Sequence, residues 1–140
     1  MNVPSAQEFQ VMASNLQSAM GPLVLVVEDH ALIALDLETM LLDLGAGHVT
    51  IATTVNQALH LVATQKFDAA FLDVRLGEST SLPVAIALRG KEIPFAITTG
   101  YDTVTDIPAE FQTGPHIAKP YNAQAIADVW KVLVEVGCGP

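Results

Sequence analysis

Phe67-Asp68-Ala69-Ala70-Phe71-Leu72-Asp73-Val74-Arg75-Leu76 is a short apolar run that stops on a carboxylate and passes into a glycine-containing loop. It is too brief for a typical helix and is apolar on both faces, which suits a central strand of a parallel sheet with helices on either side. Asp73 then stands where a buried strand leaves the sheet. In open α/β sheets, the crevice beyond the carboxyl ends of the strands is where ligands bind. Taken alone, Asp73 reads equally well as an ordinary loop-initiating aspartate.

The neighbouring segments repeat the pattern. Leu23-Val24-Leu25-Val26-Val27 is a β-branched run that also ends in acid, Glu28-Asp29. A helix follows with apolar Leu32, Ile33, Leu35, Leu37, Met40, Leu41 and Leu44, closed by Gly45. His48 to Thr53 reads as a second strand, and Thr54 can cap a helix over 55–64. After the strand ending at Asp73, Ser81 and Pro83 start a helix that stops near Gly90. Ile93 to Thr99 is a fourth strand, followed by Gly100. The poorly patterned stretch 101–115 contains Pro108 and Gly114, so its helix is expected to be short or irregular. His116-Ile117-Ala118-Lys119 is a short fifth strand, and Asn122 caps a last helix ending near Gly137.

Strands alternate with helices, and each crossover is long enough for a right-handed βαβ unit. The expected fold is a doubly wound α/β domain with a five-stranded parallel sheet. In front of it, Ser5-Ala6-Gln7-Glu8 fits a capping box, and Phe9, Met12, Ala13, Leu16, Ala19 and Met20 follow helical spacing up to Gly21-Pro22. Residues 1–21 therefore read as an amphipathic helical extension and residues 22–140 as the main domain. The extension can pack on its own domain, bind a partner or fray; its pattern does not choose.

Composition narrows the class. The chain has 140 residues, one domain's worth, and 51% are hydrophobic, which excludes a disordered chain. Six Lys+Arg against 15 Asp+Glu give a net charge of −9, so nucleic acid is not an expected partner. No apolar stretch spans a bilayer and no basic-then-apolar leader opens the chain, so neither membrane insertion nor secretion is expected. Cys138 is the single cysteine, which excludes an intrachain disulfide and fits a reducing cytoplasm. His30, His48, His60 and His116 lack metal-ligand spacing. Ser79, Thr80 and Ser81 read as loop and cap residues, Gly77 as a turn glycine, and Trp130 as packing.

Parallel strands deliver their carboxyl ends to one edge, which gathers Glu28, Asp29, Asp73, Thr99 and Lys119 from four strands. Clustered carboxylates repel unless a cation or a proton intervenes. Several oxygens around an open position suit Mg²⁺, which keeps waters and shares ligands with phosphates. Lysine offers a point charge for an oxyanion and threonine an orienting hydroxyl. A carboxylate can itself act as the nucleophile and form an aspartyl-phosphate.

On these residues the sequence resembles the response regulator receiver domains of two-component signalling, over about residues 22–137. Val26-Val27-Glu28-Asp29 is similar to the acidic pair after the first strand, and Leu72-Asp73-Val74 to the phosphoacceptor. Thr99-Gly100 is similar to the hydroxyl residue followed by a small one, and Lys119-Pro120 to the lysine before a usually cis proline. The resemblance implies the flavodoxin-like strand order 2-1-3-4-5, for which a receiver is itself a standard example. Pro94-Phe95-Ala96-Ile97-Thr98-Thr99-Gly100-Tyr101 further resembles the Pro-Phe-x-Phe-Ala-Thr-Gly-Tyr signature of a mainly alphaproteobacterial subclass of single-domain regulators. Ile97 and Thr98 depart from it.

The resemblance implies a stand-alone receiver that takes a phosphoryl group on Asp73 from a sensor histidine kinase, of the HWE or related type, or from a phosphotransfer protein. Asp29 and Asp73 would bind Mg²⁺ directly, with Glu28 assisting and the Arg75 backbone carbonyl completing the set. Thr99 and Lys119 would hold phosphoryl oxygens, and a changed surface would be read by a downstream protein. Such a chain is not an enzyme beyond weak Mg²⁺-dependent self-phosphorylation and self-dephosphorylation. Its usual switching aromatic, three residues before the lysine, is replaced by His116, so Tyr101 or the 101–115 stretch is the alternative carrier of the signal. The Arg75 side chain either influences phosphoryl lifetime or is a solvated loop residue. The last helix has two apolar stripes, which suits cover by the N-terminal helix or a homodimer contact. Two competing readings are a haloacid-dehalogenase-like phosphatase, which would want an aspartate where Arg75 stands, and a degenerate receiver that binds partners without phosphorylation.

Overall fold

A computed structural model describes residue 3 and residues 5–8, 21–100 and 114–137. The expected helix beyond residue 8, the irregular helix within 101–113, Tyr101 and Cys138 lie outside the described residues. At residues 5–8 the capping box is formed: the Glu8 amide donates to Ser5 Oγ at 3.1 Å and the Ser5 amide to Glu8 Oε2 at 3.4 Å.

The elements run β1 (Leu23–Val27), α1 (Ala31–Asp43), β2 (His48–Ala52), α2 (Val55–Thr64), β3 (Ala69–Asp73), β4 (Arg75–Leu76), β5 (Ser79–Thr80), α3 (Leu82–Gly90), β6 (Phe95–Thr99), β7 (His116–Ala118) and α4 (Ala123–Gly137). The main sheet has the order β2-β1-β3-β6-β7, all parallel. Counting only its own five strands, that is the 2-1-3-4-5 order of a flavodoxin-like sheet. β4 and β5 form a separate antiparallel hairpin, with Arg75 opposite Thr80 and Leu76 opposite Ser79. The hairpin is a correction to the reading of Ser79 and Thr80 as plain loop.

Strand alternation divides the sheet residues between two cores. Leu25, Val27, Ala70, Leu72, Phe95 and Ile97 face α2 and α3, meeting Ala58, Val62, Val84 and Leu88. Val24, Val26, Ala69, Phe71, Ala96 and Ile117 face α1 and α4, meeting Leu37, Leu41, Ile126, Trp130 and Leu133. All five residues of β3 and all five of β6 are buried, which is why their sequences are apolar runs without polar alternation.

Local signals set the ends. Thr54 Oγ1 accepts from the Gln57 amide at 3.1 Å and Asn122 Oδ1 from the Ala125 amide at 2.7 Å, so both residues cap as expected. Ser81 does not cap with its side chain. It is fully buried and turns back on the loop after β3 instead: its amide donates to the Val74 carbonyl at 2.9 Å and its hydroxyl reaches the same oxygen at 3.5 Å. Asp68, the first acid of the decisive stretch, is structural, since its Oδ2 accepts from the Leu23 amide at 2.8 Å.

Candidate functional site

The five side chains expected to meet come from the ends of β1, β3, β6 and β7. Glu28 continues β1 through its amide, which donates to the Ala52 carbonyl at 3.0 Å. Asp73 is the last residue of β3 and pairs in register with Thr98. Thr99, buried, ends β6 one position further on. Lys119 follows β7, its amide held by the Thr99 carbonyl at 2.8 Å. Register along four parallel strands thus brings these residues to one edge.

Glu28, Asp29 and Asp73 each offer a carboxylate oxygen, and those oxygens lie within 4.8 Å of one another. Lys119 Nζ stands 2.7 Å from Asp73 Oδ2 and 2.8 Å from Glu28 Oε1. Backbone amides hold the other oxygens. Asp29 Oδ2 accepts from the Gly77 amide at 2.9 Å, and Asp73 Oδ1 from the Arg75 amide at 3.3 Å. Gly77 occupies the hairpin turn at φ 63°, a conformation that favours glycine.

The carboxylates differ in solvation. Glu28 is 1% exposed, whereas Asp29 is exposed. Burial pushes the Glu28 carboxyl up to about 8, and the neighbouring Asp73 pushes it in the same direction. Lys119 opposes this, but its ammonium is divided between two acids. For Lys119, burial acts downward and is outweighed by its bonds to Asp73 and Glu28, which hold it up at about 12. Glu28 Oε2 is buried and has no hydrogen-bond partner among the described residues. An orphaned buried oxygen beside two further carboxylates is the donor set a hard divalent cation takes, so these residues fit Mg²⁺.

Tyr121, two residues past the lysine, was not singled out from sequence. Its hydroxyl is buried with no well-formed hydrogen bond among the described residues, and burial pushes the phenol up to about 12 against a smaller opposing pull from the nearby Thr98. With Ile33, Met40 and Pro120 it lines an apolar pocket of about 300 Å³ against the Lys119 side chain. Gly77 and Ser81 were also missed as site-forming residues; the glycine's place four residues after Asp73 was the available signal for the first. The Arg75 side chain is exposed on β4, so its amide, not its guanidinium, is what touches Asp73. His116 is exposed at the start of β7, opposite Ile97. His30 precedes α1 without a side-chain cap bond. The Lys119–Pro120 peptide bond is cis, as the resemblance implies.

Fold and site together define a phosphoacceptor architecture, and residues 24–131 match the response regulator receiver domain model: the chain belongs to this family. Its members are switches of two-component signalling that take a phosphoryl group from histidine kinases, and are not turnover enzymes. The chain is 29% identical over 123 residues to the phyllosphere-induced regulator PhyR of Methylorubrum extorquens, covering 81% of this chain and 44% of that protein. It therefore spans less than half the length of that relative. The solution structure of SdrG from Sphingomonas melonis is similar at 35% identity and a TM-score of 0.69, over 82% of this chain and 98% of SdrG. A CheY-like receiver domain from Methylobacillus flagellatus shares the fold at 23% identity and a TM-score of 0.71, over 81% of this chain and 98% of that one. The phosphatase reading gives way to the family match. Among the described residues no helix is long and apolar enough to cross a membrane.

Proposed function

We propose that the chain is a single-domain response regulator whose Asp73 accepts a phosphoryl group from a phosphohistidine of a sensor kinase or phosphotransfer protein in the cytoplasm. The observation that carries this is the Lys119 ammonium lying between Asp73 and Glu28 at 2.7 and 2.8 Å, beside a third acid. In the transfer an Asp73 oxygen forms the new P–O bond, the P–N bond breaks, and the electron pair returns to the imidazole nitrogen. Lys119 and the Thr99 hydroxyl hold oxygens of the incoming group. Glu28, Asp29, Asp73 and the Arg75 carbonyl would hold Mg²⁺, which would supply charge neutralisation.

The single-domain reading and the PhyR/SdrG-like subclass are supported by the likeness to SdrG, nearly all of whose chain is matched, and by Pro94–Tyr101. Members of that subclass are often paired with kinases of the HWE or related type, which makes such a kinase the first donor to try. With His116 exposed where the family usually carries an aromatic, the signal to a downstream protein passes through Tyr101 or the 101–115 stretch. Amide exchange of that stretch with and without beryllofluoride tests this, and identical exchange rejects it.

The main experiment is incubation with a small acyl phosphate and Mg²⁺, followed by intact-mass measurement. A gain of about 80 daltons, one phosphoryl group, that is absent from Asp73→Asn is the expected result. Inertness of the unmodified chain would identify a phosphorylation-independent binding module, and steady turnover of phosphate esters a phosphatase.

A further inference from the structure

The lysine side of the site holds two buried hydroxyls that the phosphoacceptor chemistry does not use. Val26, Phe71, Ala96 and Ile117 face α1 and α4, and side chains two positions on along a strand share a face. That count carries Glu28, Asp73, Thr98 and Lys119 to the same side of the sheet. Thr98 is buried and is the register partner of Asp73 on one flank and of Ile117 on the other. It therefore stands between the acceptor strand and the strand that delivers the lysine. In the signature that Pro94–Tyr101 resembles, alanine occupies this position.

Neither hydroxyl is well bonded. Thr98 Oγ1 donates to the Leu72 carbonyl at 3.4 Å, beyond the usual O–H···O distance. Tyr121 is half-buried as a residue while its hydroxyl is fully buried, so the ring lines the pocket and the oxygen points inward. There it meets Thr98, whose hydroxyl pulls the phenol down against its burial. A phenylalanine would build the same pocket wall with no polar atom to satisfy, so packing alone does not call for the phenol. The Lys119 side chain borders the same pocket, and so does the exposed Asp36. The ammonium thus has two seats open to it. One is between Asp73 and Glu28, where it is found; the other is the pocket of about 300 Å³, facing Asp36.

We propose that Thr98 and Tyr121 are positioning residues for Lys119: their hydroxyls close on each other, hold the phenol ring against the lysine side chain, and so keep its ammonium on the two acids and away from Asp36. The placement of the lysine stands on its own; its consequence rests on Asp73 being the phosphoryl acceptor. A charge already in place when the phosphoryl group arrives costs no reorganisation during transfer. One that must first return from the pocket slows each transfer. Neither Thr98 nor Tyr121 touches the incoming group. Removing either hydroxyl frees the ring, and Lys119 then divides its time between the acids and Asp36.

Two readouts on the full chain test this. Brief acylation with an amine-reactive ester, followed by peptide mass mapping, compares Lys119 with the exposed Lys131 and needs no phosphoryl chemistry. Tyr121→Phe and Thr98→Ala are each expected to raise the Lys119-to-Lys131 labelling ratio about fivefold, the scale of one neutral hydrogen bond. The double variant should label no faster than either single one, since the two residues act as a unit, and Thr98→Ser should stay within about twofold of the parent. Asp36→Asn added to Tyr121→Phe should bring the ratio back to the parent's, because the competing seat has lost its charge. Initial phosphoryl uptake from a small acyl phosphate with Mg²⁺ should fall about fivefold in the same single variants and recover with Asp36→Asn. The proposal is overturned if either single variant labels as the parent does, if the two effects multiply, or if Asp36→Asn restores nothing. A labelling pattern as expected, in a parent chain that takes up no phosphoryl group, supports the positioning and overturns the acceptor reading.

Discussion

Lys119 Nζ lies 2.7 Å from Asp73 Oδ2, and the same ammonium reaches Glu28 Oε1 at 2.8 Å. One cation thus serves two buried acids. Removing it leaves two carboxylates facing each other in a poorly solvated pocket. Lys119→Ala is expected to cost about 3 kcal/mol of stability without divalent cations, at the low end of the range for a broken buried pair because Glu28 can take up a proton. Millimolar Mg²⁺ should then raise the melting temperature of this variant by more than it raises that of the parent chain. Denaturation with and without Mg²⁺ checks both parts, and equal Mg²⁺ shifts would contradict the account.

Glu28 makes the site sensitive to pH. Its carboxyl is raised from 4.5 to about 8, so between those values the folded chain binds the proton more tightly than the unfolded chain does. Its contribution to stability is therefore fully present below pH 4.5 and is lost as the pH rises through 8, on the order of a few kcal/mol. A metal ion needs the deprotonated form, so Mg²⁺ affinity should rise from pH 6 to 8 with release of about one proton per ion. Calorimetric titration in two buffers of different ionisation enthalpy measures that proton. Glu28→Gln should bind more weakly and show neither the release nor the slope.

Two glycines at positive φ are expected to respond differently to alanine. At Gly77 a Cβ meets nothing within 4 Å, so Gly77→Ala carries only the backbone penalty of about 1–2 kcal/mol. At Gly21 the Cβ would press on the backbone of Gly45 and Gly47, at 2.3 and 2.8 Å. Gly21→Ala should cost at least about 1 kcal/mol more than Gly77→Ala, because backbone must shift as well. Urea titrations of the two variants compare them directly.

The Arg75 contact with Asp73 runs through the main chain, while the guanidinium is exposed. Arg75→Ala keeps the amide and is expected to leave both phosphoryl uptake and the decay of the acyl phosphate within about twofold of the parent, the scale of an exposed-residue change. Following the 80-dalton-scale adduct over time by mass spectrometry tests this (roughly one phosphoryl group). A several-fold change in decay would assign the side chain to control of phosphoryl lifetime.

Much of this arrangement was legible in the chain itself. Apolar runs such as Val24–Val27 and Ala69–Leu72 end sharply on acids, and that abrupt change marks a strand leaving a buried sheet. Because the five strands of the main sheet are all parallel, their carboxyl ends share one edge, and knowing those ends is enough to gather the acids and the lysine there. Thr54 and Asn122 were readable because a cap acts over three residues. The β4–β5 hairpin was not readable: two-residue strands have no period, and Ser79–Thr80 has turn-like composition. Ser81 looked like a cap by type and spacing, but tertiary burial against the Val74 carbonyl redirected its hydroxyl. Tyr121 was missed for a related reason. Nothing in its local sequence distinguishes a phenol buried beside Lys119 from one in solvent.

The bond from the Gly77 amide to Asp29 fastens the loop after the first strand to the loop after the third. These two segments, far apart in the chain, are braced as one piece. Anyone transplanting specificity between receivers by exchanging the acceptor loop alone would cut that brace and misplace an acid that was never edited. The first loop has to travel with it, and the smallest exchangeable part of this protein is the pair.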